Sequence, residues 1–387
     1  MGFPGVDYLE IEAEYTEEER LIRDTVRDFV ETEVLPIIER HNREGTFPRE
    51  LIPRLGALGL LGANLQGYGC PGVSSTGYGL IMQELERGDS GIRSFASVQG
   101  ALVMYPILTY GSEAQRQRWL PALARGERIG CFALTEPDSG SDPAGMVTKA
   151  VRQGDAYLLN GVKMWITNGS IADMAVVWAR AEDEICGFLV ERGTPGLSVR
   201  DVHGKLSLRA SITSELSFTD CRISADQALP GAVGLKTALS CLTQARYGIV
   251  WGSMGAAMAC YDCALRYAKQ RIQFGRPIAS FQLVQEKLVS MLNEITLGQL
   301  LCVQLARLKD RGRLRHQQVS LAKRNNVSAA LRVARMAREI LGAAGIVDEY
   351  PVFRHLCNLE TVYTYEGTHD IQTLVVGRDI TGHAAFA

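Results

Sequence analysis

Residues 157–165 read Tyr157-Leu-Leu-Asn160-Gly161-Val-Lys-Met-Trp165. Strand-forming residues flank an Asn-Gly pair, the dipeptide that suits a two-residue turn, so the stretch predicts a β-hairpin. Working outward, Met174 to Ala179, Cys186 to Glu191, Leu197 to Val202 and Leu216 to Phe218 are further strand-like runs. Turn residues separate them at the spacing of an antiparallel β domain. Helical patterns lie on both sides. Upstream, Thr16 and Glu19 form a capping box, and Leu21, Ile22, Val26, Phe29 and Val30 repeat at helical spacing until Pro36 disturbs them. Helices are also expected over Pro48 to Leu61, Tyr78 to Gly88, Gly91 to Tyr110 and 112–124. Downstream of Pro230, a Gly/Ala-rich helix covers Arg246 to Arg271 and ends before Gly275 and Pro277. Val284, Leu288, Met291, Ile295, Cys302 and Leu305 form a bundle seam, and 317–343 and 366–382 give two more helices. The expected fold is α+β: an N-terminal α-helical domain (1–130), a middle antiparallel β domain (131–232) and a C-terminal four-helix bundle (233–387).

Several function classes are disfavoured. The 387 residues exceed the roughly 250–300 at which one core usually splits, so two or three domains are expected. A net charge of −2, with Lys and Arg spread along the chain, gives no surface for nucleic acid or an anionic membrane. Nine scattered cysteines read as reduced, buried thiols in a reducing compartment. Cys260-x-x-Cys263 lacks the βαβ setting of a redox motif, and no His-Glu-x-x-His is present, so no metal centre is expected. The N-terminus shows neither a secretory apolar region nor an Arg-rich transit pattern. The bacterial cytoplasm is the expected location, or the mitochondrial matrix for a processed form. The uncharged stretch from Tyr247 to Tyr261 is too short to span a bilayer, so no membrane insertion is expected. No Gly-x-Gly-x-x-Gly follows a strand, and Gly342-Ala-Ala-Gly345 follows a helix, which disfavours a Rossmann site.

Four segments are unusually polar for their positions. Phe132-Ala-Leu-Thr135-Glu-Pro-Asp-Ser139-Gly-Ser141-Asp142 carries small hydroxyls and free amides suited to a heterocycle or phosphates, or to a surface turn. Trp165-Ile-Thr167-Asn168-Gly169 sets an aromatic beside hydroxyl and amide groups. Arg271-Ile-Gln273-Phe274-Gly-Arg276 puts cations at a helix end, where they also complement the dipole. Tyr363-Thr-Tyr365-Glu366-Gly367-Thr368-His369-Asp370 places an acid just before a helix that Thr368 can cap.

Together these segments resemble the acyl-CoA dehydrogenase family over nearly the full length, with most likeness to its glutaryl-CoA dehydrogenase branch. The resemblance rests on Leu85-Glu86-Arg87-Gly-Asp89-Ser-Gly-Ile-Arg93-Ser94, Leu134-Thr-Glu-Pro-Asp-Ser-Gly-Ser-Asp142, Ala245-Arg-Tyr-Gly248 and Tyr365-Glu-Gly-Thr-His-Asp370. It implies an FAD between the β domain and the bundle, an electron-transfer flavoprotein as electron acceptor, and a homotetramer. For the cofactor it implies contacts from Phe132, Ala133, Leu134, Thr135, Ser141, Trp165, Ile166 and Thr167, completed by Gly367, Thr368, Asp370 and Phe386. Arg271, Phe274, Gln282, Glu339, Gly342 and Ala343 resemble positions that reach the FAD of a neighbouring subunit. Glu339 and Ala343 depart from the Gln and Gly of many relatives. For the substrate it implies Arg93, Ser94, Glu86, Ser97, Ser141, Thr243, Arg246, Tyr365 and Gly367, although Thr243 and Gln244 replace an expected Asn pair.

The resemblance implies oxidation of an acyl-CoA at Cα–Cβ, and for glutaryl-CoA a following decarboxylation to crotonyl-CoA. The chemistry needs a base for a weakly acidic α-proton, and a desolvated carboxylate serves. Glu366 is the candidate. The resemblance implies that its backbone N–H, with a flavin ribityl hydroxyl, also polarises the thioester carbonyl. Arg93, on an apolar helical stretch, is the expected partner of the distal carboxylate, unless it pairs internally with Asp89. Ile92 stands where the decarboxylating branch is expected to carry Tyr. The alternatives are a non-decarboxylating glutaryl-CoA dehydrogenase, a short-chain acyl-CoA dehydrogenase or oxidase, and, more remotely, a flavin-free binding protein. Intact Glu366, Arg93 and Thr167 argue against the last.

Overall fold

A computed structural model describes residues 2–385, so Phe386 lies outside the described residues. Thr16 and Glu19 form the expected reciprocal cap and start α1 (Glu17–Phe29). Pro36 does not end the helix. A π turn over Val30–Val34 links α1 to α2 (Leu35–Glu44), and the Leu35 amide bonds back to the Val30 carbonyl. The wider turn shifts the register, so Pro36 falls in a first turn, where its missing N–H costs little. The helix expected over Pro48 to Leu61 shortens to α3 (Ile52–Ala57), because Gly59 and Gly62 turn to positive φ. A two-strand clip, β1 (Gln66–Gly67) and β2 (Cys70–Pro71), leads into α4 (Ser75–Gly88). α5 (Ser90–Ser97) follows and continues through a π turn over Val98–Met104 into α6 (Tyr105–Tyr110), before α7 (Glu113–Ala124).

The middle of the chain forms an eight-stranded sheet: β3 (Gly130–Ala133), β4 (Lys149–Gln153), β5 (Ala156–Thr167), β6 (Met174–Ala181), β7 (Glu184–Glu191), β8 (Leu197–Asp201), β9 (Thr213–Ser224) and β10 (Ala228–Val233). Its order is β10-β7-β6-β4-β5-β9-β8, mostly antiparallel, with β3 added parallel to β6. The Asn160-Gly161 pair is not a turn. It lies inside the twelve-residue β5, where the pairing with β9 slips by a bulge between Leu159 and Gly161. Asn160 is held across the sheet instead, since its side chain accepts from the Asp220 amide at 2.8 Å. Gly161 is required by close approach rather than by a turn: a Cβ there would sit 2.3 Å from Thr148 Oγ1. The turn comes at Gly154-Asp155, where Gly154 has φ 64°.

Beyond the sheet runs the 36-residue α8 (Leu235–Gln270), then the clip of β11 (Ile272–Gln273) and β12 (Arg276–Pro277). α9 (Gln282–Asp310) and α10 (His316–Leu341) pack on α8, and α4 lies against α8 as well. α9 is long and apolar enough to cross a membrane by length and composition, but its seam (Leu288, Met291, Ile295, Cys302, Leu305) is buried in the bundle. The last stretch holds two helices, α11 (Val352–Thr364) and α12 (His369–Thr381). α11 was not expected. Its buried stripe of Val352, His355, Leu359 and Val362 is interleaved with buried Arg354 and Asn358, which masks the apolar period.

Candidate active site

The centre is the sharp turn between α11 and α12. Tyr365 is extended, Glu366 and Gly367 have φ of 54° and 88°, and Thr368 caps α12 by accepting from the Ile371 amide at 3.2 Å. A left-handed glutamate costs about 1–3 kcal/mol and persists only where its surroundings enforce it. Three side chains do so here. Arg246 Nε on α8 donates to the Glu366 carbonyl at 2.6 Å. Gln372 Nε2 donates to the same carbonyl at 3.2 Å and to that of Gly367 at 3.0 Å. Lys323 Nζ on α10 donates to the carbonyls of Tyr365 and Gly367, the latter at 2.7 Å.

The Glu366 residue is half-buried, but its Oε2 is sealed from solvent and has no hydrogen-bond partner among the described residues. Burial raises its pKa above the ordinary carboxylate value, while Arg93, Lys323 and Arg246 pull it back. A poorly solvated carboxylate with a free oxygen is the arrangement a proton-abstracting base requires.

Beside it lies a buried cation. Arg93 Nε donates to Glu86 Oε2 at 2.6 Å, with neither side chain exposed. Its Nη2 reaches the Tyr365 hydroxyl, and Nη1 is left buried without a partner among the described residues. Burial opposes the charge, yet Glu86 and its neighbours outweigh it and hold the guanidinium's pKa above its usual value. The pairing with Asp89 does not form. Asp89 instead accepts from the Gly91 amide at 2.7 Å and binds Arg354 and Asn358, the latter at 2.9 Å. The Ser97 and Tyr78 hydroxyls are also buried, with Ser97 within interaction reach of the Tyr78 oxygen. Ser94 and Ile92 are buried on the same helix, Ile92 within the main apolar core. Thr243 donates to the Leu239 carbonyl of its own helix at 3.1 Å.

A second cluster forms where β3 ends against β5. The Met164 amide donates to the Thr135 carbonyl at 2.8 Å, and buried Lys163 donates to the Leu134 carbonyl and to Glu136, each at 2.9 Å. This ties the 132–135 and 165–167 segments together. Phe132, Ala133, Leu134 and Ile166 bury their side chains in the apolar cores, so only their backbone can serve a ligand. Thr135 and Thr167 are half-buried, and Ser141 is exposed on the following loop. Trp165 is 57% exposed with φ 64°, turned outward at a slip in the β5–β9 register. An indole held out in a strained backbone beside two hydroxyls fits the face of a flat heterocycle. Arg271, Phe274, Gln282, Glu339, Gly342 and Ala343 are not brought to either cluster. They are exposed on the β11–β12 clip and the ends of α9 and α10, with Phe274 92% exposed and Glu339 paired to Lys287 at 2.8 Å. Asp370 is exposed as well.

Three family descriptions match successive parts of the chain: "Acyl-CoA dehydrogenase, N-terminal domain" at residues 16–127, "middle domain" at 131–221 and "C-terminal domain" at 232–381. The chain belongs to the acyl-CoA dehydrogenase family. The short-chain specific acyl-CoA dehydrogenase of Homo sapiens mitochondria is 38% identical to this dehydrogenase over 371 residues, 94% of the chain and 90% of that protein. A glutaryl-CoA dehydrogenase of Mycobacterium smegmatis is 54% identical with a TM-score of 0.96, covering 97% of this chain and 98% of that one. A second structure of a glutaryl-CoA dehydrogenase from M. smegmatis, solved with FADH2, is 49% identical with a TM-score of 0.98 and full coverage of both chains.

Sequence reading missed Lys323, Gln372 and Tyr78 of this dehydrogenase. A signal for Lys323 existed: it occupies the buried stripe of α10 formed by Val319, Ala322, Asn326, Val327 and Ala330, where a lone cation is out of place. Gly252 was missed too. A Cβ there would fall 2.0 Å from Glu86 Oε2 and 3.2 Å from Arg93 Nε. Gly252→Ala is therefore expected to push Glu86 off Arg93 and to cost about 1–3 kcal/mol in thermal unfolding. It should also change the ratio of kcat/KM between carboxylated and uncharged acyl-CoAs. An alanine enzyme with the parental ratio and melting temperature would show that the pair tolerates displacement.

Proposed function

We propose that this dehydrogenase oxidises glutaryl-CoA with FAD and then decarboxylates it to crotonyl-CoA and carbon dioxide. The observation that carries the proposal is Arg93: a buried, charged guanidinium at the Glu366 site with one nitrogen unsatisfied. An unpaired donor in such a place is costly unless a ligand completes it, and a distal carboxylate does so. Glu366 takes the α-proton. FAD, when bound, accepts the hydride equivalent from Cβ. Loss of carbon dioxide leaves a dienolate, and protonated Glu366 returns its proton to the terminal carbon. Trp165, Thr135 and Thr167 would hold the flavin, with Ser141 between cofactor and substrate.

The exposed residues from Arg271 to Gln282 and from Glu339 to Ala343 would serve the FAD of a neighbouring subunit in a homotetramer. Exposure of Phe274 supports that reading. Electrons would pass to an electron-transfer flavoprotein.

Ile92 supports a second outcome. If a tyrosine at this position is needed to order Glu86, oxidation stops at glutaconyl-CoA. Incubation of glutaryl-CoA with holoenzyme and an artificial acceptor, with products resolved by mass, separates the two. Crotonyl-CoA is the expected main product. Glutaconyl-CoA in its place would leave the oxidation standing and remove the decarboxylation.

A further inference from the structure

We propose that Lys323 is a positioning residue for the Glu366 base: its ammonium clamps the peptide carbonyls on either side of Glu366 and, beside Arg93 and Arg246, adds positive charge that favours the ionised carboxylate. The inference rests on reading Glu366 as the base. Lys323 projects from α10, its side chain almost wholly buried, and donates to the carbonyls of Tyr365 and Gly367. Those two peptides bracket the left-handed Glu366, so one buried cation spans the strained turn. Its aliphatic stem lies in the buried stripe of the helix.

The groups facing this ammonium come from every packed element. α8 presents Arg246, α5 presents Arg93, and Glu86 on α4 stands behind Arg93. α12 presents His369 and Gln372, and the Tyr365 ring lies 5.9 Å away. Among the described residues, Glu366 is the only carboxylate acting directly on Lys323, and the two arginines oppose its charge. Burial, against the attraction of Glu366, lowers the Lys323 pKa to about 7. Glu366 and Lys323 therefore support each other's charge: loss of either makes the other easier to neutralise. A purely structural lysine would hold the carbonyls without this reciprocity.

The test uses holoenzyme and anaerobic flavin reduction by acyl-CoA, followed from pH 6 to 9. In Lys323→Met the carboxylate loses a nearby cation, so the rise of the reduction rate with pH should move up by about one to three units. The plateau should also fall as the turn loosens. Lys323→Arg, which keeps the charge, should restore most of the parental profile. A Met variant that retains FAD and keeps the parental profile would overturn the proposal. Should that variant lose its cofactor, the decision passes to the titration of the Lys323 ammonium in lysine-labelled holoenzyme. There Glu366→Gln should shift the Lys323 titration downward, and an unchanged titration would overturn the coupling. If Glu366→Gln itself reduces flavin at the parental rate, the base reading fails first, and the two failures are thereby told apart.

Discussion

Glu366→Gln should lower the rate of flavin reduction by acyl-CoA about 10²–10⁴-fold, the usual cost of removing a positioned base. The amide is isosteric, and the contacts that hold the turn run to backbone carbonyls from Arg246, Lys323 and Gln372. The fold, FAD content and acyl-CoA affinity should therefore survive. Rapid mixing under anaerobic conditions reads the chemical step directly, and spectral titration reads binding. A variant that binds substrate and still bleaches the flavin at a near-parental rate would place the base elsewhere. In the parent, burial raises the Glu366 pKa, so reduction should fall as pH drops through a value above that of an ordinary glutamate. Only the ionised carboxylate can take the proton, which sets the sign.

Arg93→Ala should remove turnover of glutaryl-CoA while leaving measurable activity on butyryl-CoA. Breaking a desolvated charge pair on one side costs roughly 3–5 kcal/mol, which corresponds to about 10²–10⁴-fold in kcat/KM for the carboxylated substrate. The substitution also strands Glu86, which is fully buried and otherwise accepts from the Ser90 hydroxyl at 2.8 Å. Stability should therefore fall along with glutaryl-CoA turnover, and a control is needed. In Arg93→Met with Glu86→Gln both charges are gone, and the melting temperature should recover toward the parent while glutaryl-CoA turnover should not. Equal losses on glutaryl-CoA and butyryl-CoA in either variant would refute a carboxylate clamp and favour a structural pair.

The pair also bears on the choice of substrate. Glu86 already balances the charge of Arg93 through Nε, so the pocket carries no net charge from the two. The remaining donor is directional: Nη1 is buried without a partner among the described residues. An uncharged short acyl chain would leave it unsatisfied. A carboxylate would accept from it, and the proposed dicarboxylic substrate rests on that difference.

Sequence alone carried the arrangement of helical, β and helical segments, because that order depends on apolar period and turn residues, which are local. It carried the bundle seam on α9 and the cap that starts α1 for the same reason. Local signals failed where a neighbour overrode them. Asn160-Gly161 has the composition of a turn, but a bulge against β9 and the approach of Thr148 use it inside a strand. Pro36 has the composition of a helix end, but a π turn absorbs it. α11 was hidden because its buried face carries charged residues whose partners lie far away in the chain, as with Arg354 and Asp89.

For the site, the motif around Glu366 pointed to the candidate base and the motif around Arg93 to the proposed clamp. What the sequence could not supply was their joining across 272 positions through the Tyr365 hydroxyl. Nor could it supply the ring of Lys323, Arg246 and Gln372 around the base. Each of these lies on a different helix. Packing of α8, α10 and α12 against one turn brings them together, and a buried polar group acquires its meaning only from the atoms left facing it.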